Sequence, residues 1–166
     1  MSASDPPAKR ADTAPAPIPE HLHTVTPRLV VSSGAGAIDF YCSAFGAEEV
    51  GERFSGPDGE LIHAELRIGD SIVAITESDG APANLPDRIV SAIMSTYWEN
   101  VDAAWERALE AGAEVIYPLA DHFYGERGGR VRDPFGQQWM LSQRIEDLSH
   151  AEIVRRARAS FGGPDS

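Results

Sequence analysis

Two stretches of this chain repeat one another. Ala37-Ile38-Asp39-Phe40-Tyr41, continuing through Phe45-Gly46-Ala47-Glu48-Glu49-Val50, parallels Val101-Asp102-Ala103-Ala104-Trp105 through Ala111-Gly112-Ala113-Glu114-Val115. Each reads as an amphipathic helix, a glycine that stops it, and Ala-Glu opening a strand. An internal duplication constrains architecture strongly, because each copy is one supersecondary unit that has to bury its apolar face against something. The chain has 166 residues, enough for one domain or for two small modules sharing a core.

Periodicity around the repeat supplies the other elements. In the first copy, Thr24 to Val31 reads as a strand, and Ala35 to Phe45 as a helix with Ile38, Tyr41, Cys42 and Phe45 on one stripe. Glu48 to Phe54 reads as a second strand, and Gly56-Pro57-Asp58-Gly59 as a turn. Glu60 to Ile68 alternates, with Ile62, Ala64, Leu66 and Ile68 on one face and Leu61, His63, Glu65 and Arg67 on the other. Gly69-Asp70 then makes a hairpin turn into the strand Ser71 to Glu77. A Pro/Gly/Asn/Asp linker, Ser78 to Asp87, precedes the second copy. There the strand Ile89 to Trp98 leads through an N-cap at Asn100 into the helix Val101 to Ala111. A strand Ala113 to Tyr117, a loop Pro118 to Gly128, a strand Gly129 to Arg132, the turn Asp133-Pro134-Phe135-Gly136 and a strand Gln137 to Ser142 complete it. Ser149 with Glu152 forms a capping box for a last helix, to about Ser160.

The fold class is therefore α+β: two tandem βαβββ modules, about 24–77 and 88–143, forming a curled mixed sheet around a cleft, plus a C-terminal helix. Residues 1–22 are rich in Ala, Pro and Ser with almost no large apolar side chain, the composition of a disordered tail. The domain spans 23–148, and 149–166 hold the C-terminal helix and tail. His21 and His23 sit where the tail meets the domain, and their spacing alone does not make a metal site.

No run approaches the roughly 18 apolar residues of a membrane span, and Lys9-Arg10 is followed by no apolar stretch, so neither a membrane nor a secretory signal is expected. Acidic residues outnumber basic ones 26 to 14. The resulting negative surface repels phosphate backbones, which argues against nucleic acid as a partner. A single cysteine, Cys42, fits a reducing, cytoplasmic setting. On its helical stripe it reads as a small buried hydrophobe. Gly34-Ala35-Gly36 before a helix lacks the spacing of a phosphate-binding loop.

The order of these pieces resembles one family. The Ala37–Tyr41 and Ala44–Glu48 words, their second copies at Val101–Trp105 and Ala111–Ala113, and the Asp133-Pro134-Phe135-Gly136 turn resemble the vicinal oxygen chelate superfamily of glyoxalases, bleomycin-resistance proteins and dioxygenases. Phe123-Tyr124-Gly125-Glu126-Arg127 resembles a loop of its bacterial PhnB-like subgroup. The resemblance covers roughly residues 24–148. It implies a cleft that often holds a divalent metal, with His, Glu or Gln ligands from the first and last strands of each module. By count from the matched motifs those positions are Thr26, Ala74, Ile93 (or Ser95) and Met140. Ala, Ile and Met do not ligate a hard cation and Thr is poor at it, so the usual quartet is missing. No cofactor is expected, although Ni, Zn, Fe or Mn at a relocated site stays open. The resemblance further implies a homodimer with clefts near the interface, to which the C-terminal helix, with Ile153, Phe161, Arg155, Arg156 and Arg158, can add. The basic run equally suits the helix C-terminal dipole.

If Ala74 and Met140 face the cleft, strand alternation brings Thr26, Arg28, Val30, His63, Glu65, Arg67, Ile72, Thr76, Ser95, Tyr97, Arg130, Arg132 and Gln138 there too. Leu29, Val31, Ile62, Ala64, Leu66, Val73, Ile75, Trp139 and Leu141 then pack on the helices. His63 and Glu65 are neighbours on one strand face. They can act as an acid/base pair, form half of a relocated metal site, or pair structurally with Arg67, Arg130 or Arg132. The candidate ligand-binding set is Arg28, Tyr97, His122, Tyr124, Arg130, Arg132, Gln138 and Met140. His122 and Tyr124 lie on the long loop, which reads as a lid or as a solvated connection. Tyr97 and Trp98 alternate, so one reaches the cleft and the other the core. Three functions remain: a metal-free binder of an antibiotic or metabolite, an enzyme of lyase, isomerase or dioxygenase type using His63 and Glu65, and a regulatory module working through its dimer surface.

Overall fold

The computed structural model describes residues 17–78 and 92–161. The first 16 residues of the expected tail, most of the expected linker and the start of the expected strand at Ile89 lie outside the described residues.

The first module runs β1 (Arg28–Val31), α1 (Gly34–Phe45), β2 (Glu48–Glu49), β3 (Phe54–Ser55), β4 (Leu61–Ile68) and β5 (Ser71–Glu77); the second runs β6 (Met94–Tyr97), α2 (Val101–Glu110), β7 (Glu114–His122), β8 (Glu126–Arg132) and β9 (Gln138–Arg144), followed by α3 (His150–Phe161). The strands form two sheets. In the first the order is β1-β5-β4-β2, with β3 also on β4; in the second it is β6-β9-β8-β7. In both, the module's first strand lies parallel to its last (β1 on β5, β6 on β9), and the hairpins β4–β5 and β8–β9 are antiparallel. The repeat thus has the same topology in each copy. No helix among the described residues is long and apolar enough to cross a membrane.

Local chemistry sets the boundaries. Ser33 caps α1 by accepting from the Gly36 N–H, and Asn100 caps α2 by accepting from Ala103. Gly46, in the left-handed region, closes α1. β1 begins four residues later than expected because Pro27 has no N–H to give a ladder, although its carbonyl accepts from Ala74 N at 2.9 Å. The strand expected over Glu48 to Phe54 is broken into β2 and β3 by Gly51, which adopts a positive φ of 73°. The loop expected from Pro118 to Gly128 is instead a hairpin, with β7 and β8 running to His122 and from Glu126 around a three-residue turn.

Each sheet packs one face on a helix. Leu29, Val31, Ala64, Leu66, Val73, Ile75, Trp139 and Leu141 are buried, as alternation requires. Ile62 is not: it is 51 % exposed, and Leu61 is buried in its place. The register of β3 on β4 shifts between Phe54 and Ser55, and Leu61 packs so closely on Gly34 that a Cβ there would lie 2.4 Å from it. Cys42 is exposed rather than buried. The buried arc of α1 passes through Ala37, Ile38, Tyr41, Ala44 and Phe45, leaving Cys42 beside exposed Asp39 and Ser43. Partial burial, with the Glu49 and Asp39 carboxylates nearby, raises its thiol pKa, which makes it a weak nucleophile.

The modules meet through side chains. Tyr41, Phe45, Trp98 and Trp139 form one aromatic cluster, with Phe45 and Trp139 rings 4.7 Å apart. At its edge sits Asp133, 3 % exposed. One carboxylate oxygen accepts from Tyr41 Oη (2.7 Å) and Trp139 Nε1 (2.9 Å), the other from Phe135 N and Gln137 N (both 2.9 Å). Four donors satisfy a buried charge that would otherwise be very costly. Gln137 Nε2 also donates to Val30 O at 3.1 Å. The Asp-Pro-Phe-Gly turn of the second module is thereby bolted onto the first.

Candidate functional site

Packing on the helices leaves one face of each sheet open. On the first sheet, Arg28 pairs with Ala74 and Ala74 with Glu65 across three strands. Arg28 Nη2 lies 3.2 Å from His63 Nδ1, and His63 Nε2 lies 3.5 Å from Glu65 Oε1. Glu65 Oε2 lies 2.8 Å from Nε2 of His21. A guanidinium can only donate, so His63 Nδ1 is an acceptor and its proton sits on Nε2, facing Glu65. Arg28 thus donates to His63, whose Nε2–H is turned toward Glu65, and His21 bonds Glu65 from the other side. His21, treated in the sequence as a tail residue, is thus part of this face; its position just ahead of β1 was the only signal. Arg67, considered as a partner for His63 and Glu65, stands opposite Glu48 and Ile72 in the strand register.

The second open face is built differently. Met140 pairs with Ser95 and Arg130, and Gln138 with Arg132. The Arg130 guanidinium stacks over the Tyr117 ring at 5.0 Å, a cation–π contact. Arg132 lies 3.5 Å from Glu114. Gln138 is 3 % exposed, and its Oε1 and the Nε of Arg130 have no hydrogen-bond partner among the described residues. Tyr97, 66 % exposed, donates to Glu126 Oε1 at 2.8 Å, while Trp98 turns to the core. The Glu126 bond, partial burial and the Glu126 charge raise the Tyr97 phenol pKa. His122 and Tyr124 stack face to face at 4.9 Å, and His122 Nε2 donates to Gly128 O at 3.0 Å. They sit at the tip of the β7–β8 hairpin rather than on a lid.

The structure therefore brings Arg28, His63 and Glu65 together on one sheet; Tyr97, Arg130, Arg132, Gln138 and Met140 lie along strands of the other, with His122 and Tyr124 at the far end, on its hairpin tip. Glu126 and Tyr117 join the second group unforeseen, since the strand register that exposes them depended on the longer hairpin.

Two cavities accompany these faces. One of about 790 Å³ lies at the junction of the modules, among Thr26, Ile72, Met94, Tyr97 and Trp98. The other, about 360 Å³, lies on the first open face, lined by His21, Glu52, Phe54, His63 and Glu65 with Val50 and Gly51.

The positions implied for metal ligands do not fit a divalent cation. Ala74, buried between Arg28 and Glu65 in the strand register, has no donor atom, and Ser95 stands opposite Met140, whose thioether is a soft donor. Among the described residues no group of three His, Cys, Asp or Glu is placed to hold a metal. In the trio His21, Glu65 and His63, Glu65 is hydrogen-bonded to His21 at 2.8 Å and His63 Nε2 stands 3.5 Å away. For His63 Nε2 to ligate, its proton would have to move to Nδ1, against the Arg28 donor.

A family model described as Glyoxalase/Bleomycin resistance protein/Dioxygenase superfamily matches residues 21–141. The chain belongs to that superfamily. It is 41% identical over 135 residues to the uncharacterized protein Mb0911c of Mycobacterium bovis, covering 78% of this chain and 88% of that one. Among solved structures, the fosfomycin resistance protein FosX of Listeria monocytogenes aligns with a TM-score of 0.59 at 18% identity, over 80% of this chain and 98% of its own. A PhnB protein of Bacillus cereus aligns at 0.56 and 20%, over 73% and 99%. These structural likenesses establish the glyoxalase fold, including PhnB-like members.

Proposed function

We propose that this superfamily member binds a small organic molecule, an antibiotic or metabolite, on its open sheet faces without a divalent metal. The observation that carries the reading is Ala74, flanked on its two neighbouring strands by Arg28 and Glu65. A buried side chain with no donor atom at that position removes a ligand of the cation site, and the polar and apolar side chains exposed around it suit a small organic molecule. Arg28, Tyr97, His122, Tyr124, Arg130, Arg132, Gln138 and Met140 supply the contacts. The protein works as a homodimer, the open face of one chain meeting that of the other, in a reducing cytoplasmic setting. Exposed Val30, Phe54, Tyr97 and Tyr117 on or beside the open faces favour such pairing.

The test is a thermal-shift screen of metabolites and antibiotics in the presence of EDTA, repeated on Arg130→Ala and His63→Ala. A ligand whose stabilisation persists in EDTA and falls in a variant is the expected outcome. A ligand that binds only with added metal would contradict the reading. The alternative, acid/base catalysis of isomerase or lyase type by His63 and Glu65, is favoured by their 3.5 Å approach. Turnover of a bound compound that both His63→Ala and Glu65→Gln abolish would establish it.

A further inference from the structure

We propose that His21 is an intrachain stand-in for the ligand, and that the first open face recognises a small organic base carrying an N–H donor: an imidazole, an amidine or a protonated amine. The proposal rests on the reading of this face as part of the binding site, and names its ligand class and its regulation.

Three observations carry it. The first is the geometry at Glu65. Its Oε1 faces the Nε2–H of His63, a partner fixed on the same strand, whereas its Oε2 is engaged, among the described residues, by His21, 44 residues away in sequence. A carboxylate is an acceptor with room for several donors, and the position of His21 Nε2 marks where an incoming N–H sits.

The second is how lightly His21 is held. It precedes β1 and belongs to no helix or strand, its neighbour Leu22 making a short turn bond back to Pro19 O at 3.0 Å. The imidazole itself is exposed. Swapping it for a ligand costs one hydrogen bond and gains another, with no element of the sheets disturbed.

The third is the cavity that His21 helps wall. Its volume of about 360 Å³ falls at the lower end of small-molecule sites. Its walls combine a second carboxylate, Glu52, with the exposed ring of Phe54, which lies 6.4 Å from the His63 imidazole. Carboxylate plus aromatic face is the chemistry that holds an organic cation. The guanidinium of Arg28 is occupied at the other nitrogen of His63. A tethered competitor lowers apparent affinity by the fraction of time it occupies the site, so the N-terminal segment sets the threshold at which ligand enters.

Imidazole is the probe. Its binding to full-length protein is followed by ¹H–¹⁵N NMR titration, with thiazole, which has no N–H, as the control, and with amide dispersion and melting curves reporting the fold of each variant. His21→Gly is expected to bind imidazole about tenfold more tightly than wild type, given the effective concentration of a short tether. Shifts should centre on Glu65, His63 and Phe54. Adding Glu65→Gln should remove the gain, and thiazole should not bind. Equal affinity in wild type and His21→Gly, or a gain that survives Glu65→Gln, would overturn the proposal. Screening hits that perturb the second sheet and leave Glu65 untouched would also overturn it while leaving the metal-free binding reading intact. A ligand that requires metal would instead remove that reading, and the imidazole titration would still decide the exchange at Glu65.

Discussion

The last hairpin of each module closes the same pair of strands, yet the two turns do different work. Gly69-Asp70, between β4 and β5, is exposed at the rim of the larger cavity, and the Ser71 hydroxyl donates to Asp70 at 3.1 Å. Asp133 to Gly136, between β8 and β9, buries its aspartate beneath four donors, one of them from the other module's helix. Duplication supplied the topology, and the difference between the two turns supplies the joint. Because the joint lies on the helix side, both open faces stay available for a ligand or a second chain.

The largest expected effect is at that joint. Asp133→Ala removes the acceptor for Tyr41, Trp139 and two backbone N–H groups, and should cost about 3–5 kcal/mol in urea denaturation. Asp70→Ala, at the equivalent turn, should stay within about 0.5 kcal/mol. Equal costs would break the comparison. Tyr41→Phe deletes one of the four bonds and should cost about 1.5–3 kcal/mol, the range for a hydrogen bond to a charged group. Gly34→Ala tests close packing inside the first module. Its Cβ would meet Leu61 at 2.4 Å, so about 1–3 kcal/mol of overpacking strain is expected, read as a lowered urea midpoint.

The smallest effects are in pH dependence, and two carboxylates should show opposite signs. Burial, the largest influence, raises the Asp133 pKa above its ordinary 3.8, against the pull of its hydrogen bonds. Its proton-linked stability is therefore fully present below that ordinary value and lost as pH rises through the folded one. Asp133→Asn should flatten this slope. Glu152, paired with Arg155 and Arg156, is lowered from 4.5 to about 2. Its contribution is present above 4.5 and lost as pH falls through about 2. Arg156 also reaches Glu146 and Phe123 O, so α3 should loosen first in acid, seen as early proteolysis near residue 150. Glu152→Gln should remove that acid sensitivity.

Much of this architecture was legible in sequence because its signals are periodic. The glycine stop at Gly46, the cap at Asn100 and the alternation of β9 each follow from local chemistry. The misreadings fall where local pattern meets tertiary contact. Ile62 alternates correctly but is displaced by a register shift that lets Leu61 fill the space over Gly34. Pro118 to Gly128 carries loop-like residues, yet Gly128 and Gly129 are needed flat in the sheet, where a Cβ would strike Leu141 O or Trp105. Cys42 sits one step off the buried arc of α1. Of the candidate site, Arg28, His63 and Glu65 were readable as strand-face neighbours. His21 was not, because nothing in a short polar segment says where it folds back.

Metal-free binding at the first open face is the property on which its ligand class depends. Elemental mass spectrometry of untagged protein purified without chelators, beside His63→Ala, tests this most directly. Less than about a tenth of an equivalent of Ni, Zn, Fe or Mn is expected in either protein. About one equivalent per chain in wild type, lost in His63→Ala, would contradict it and make His63 a metal ligand.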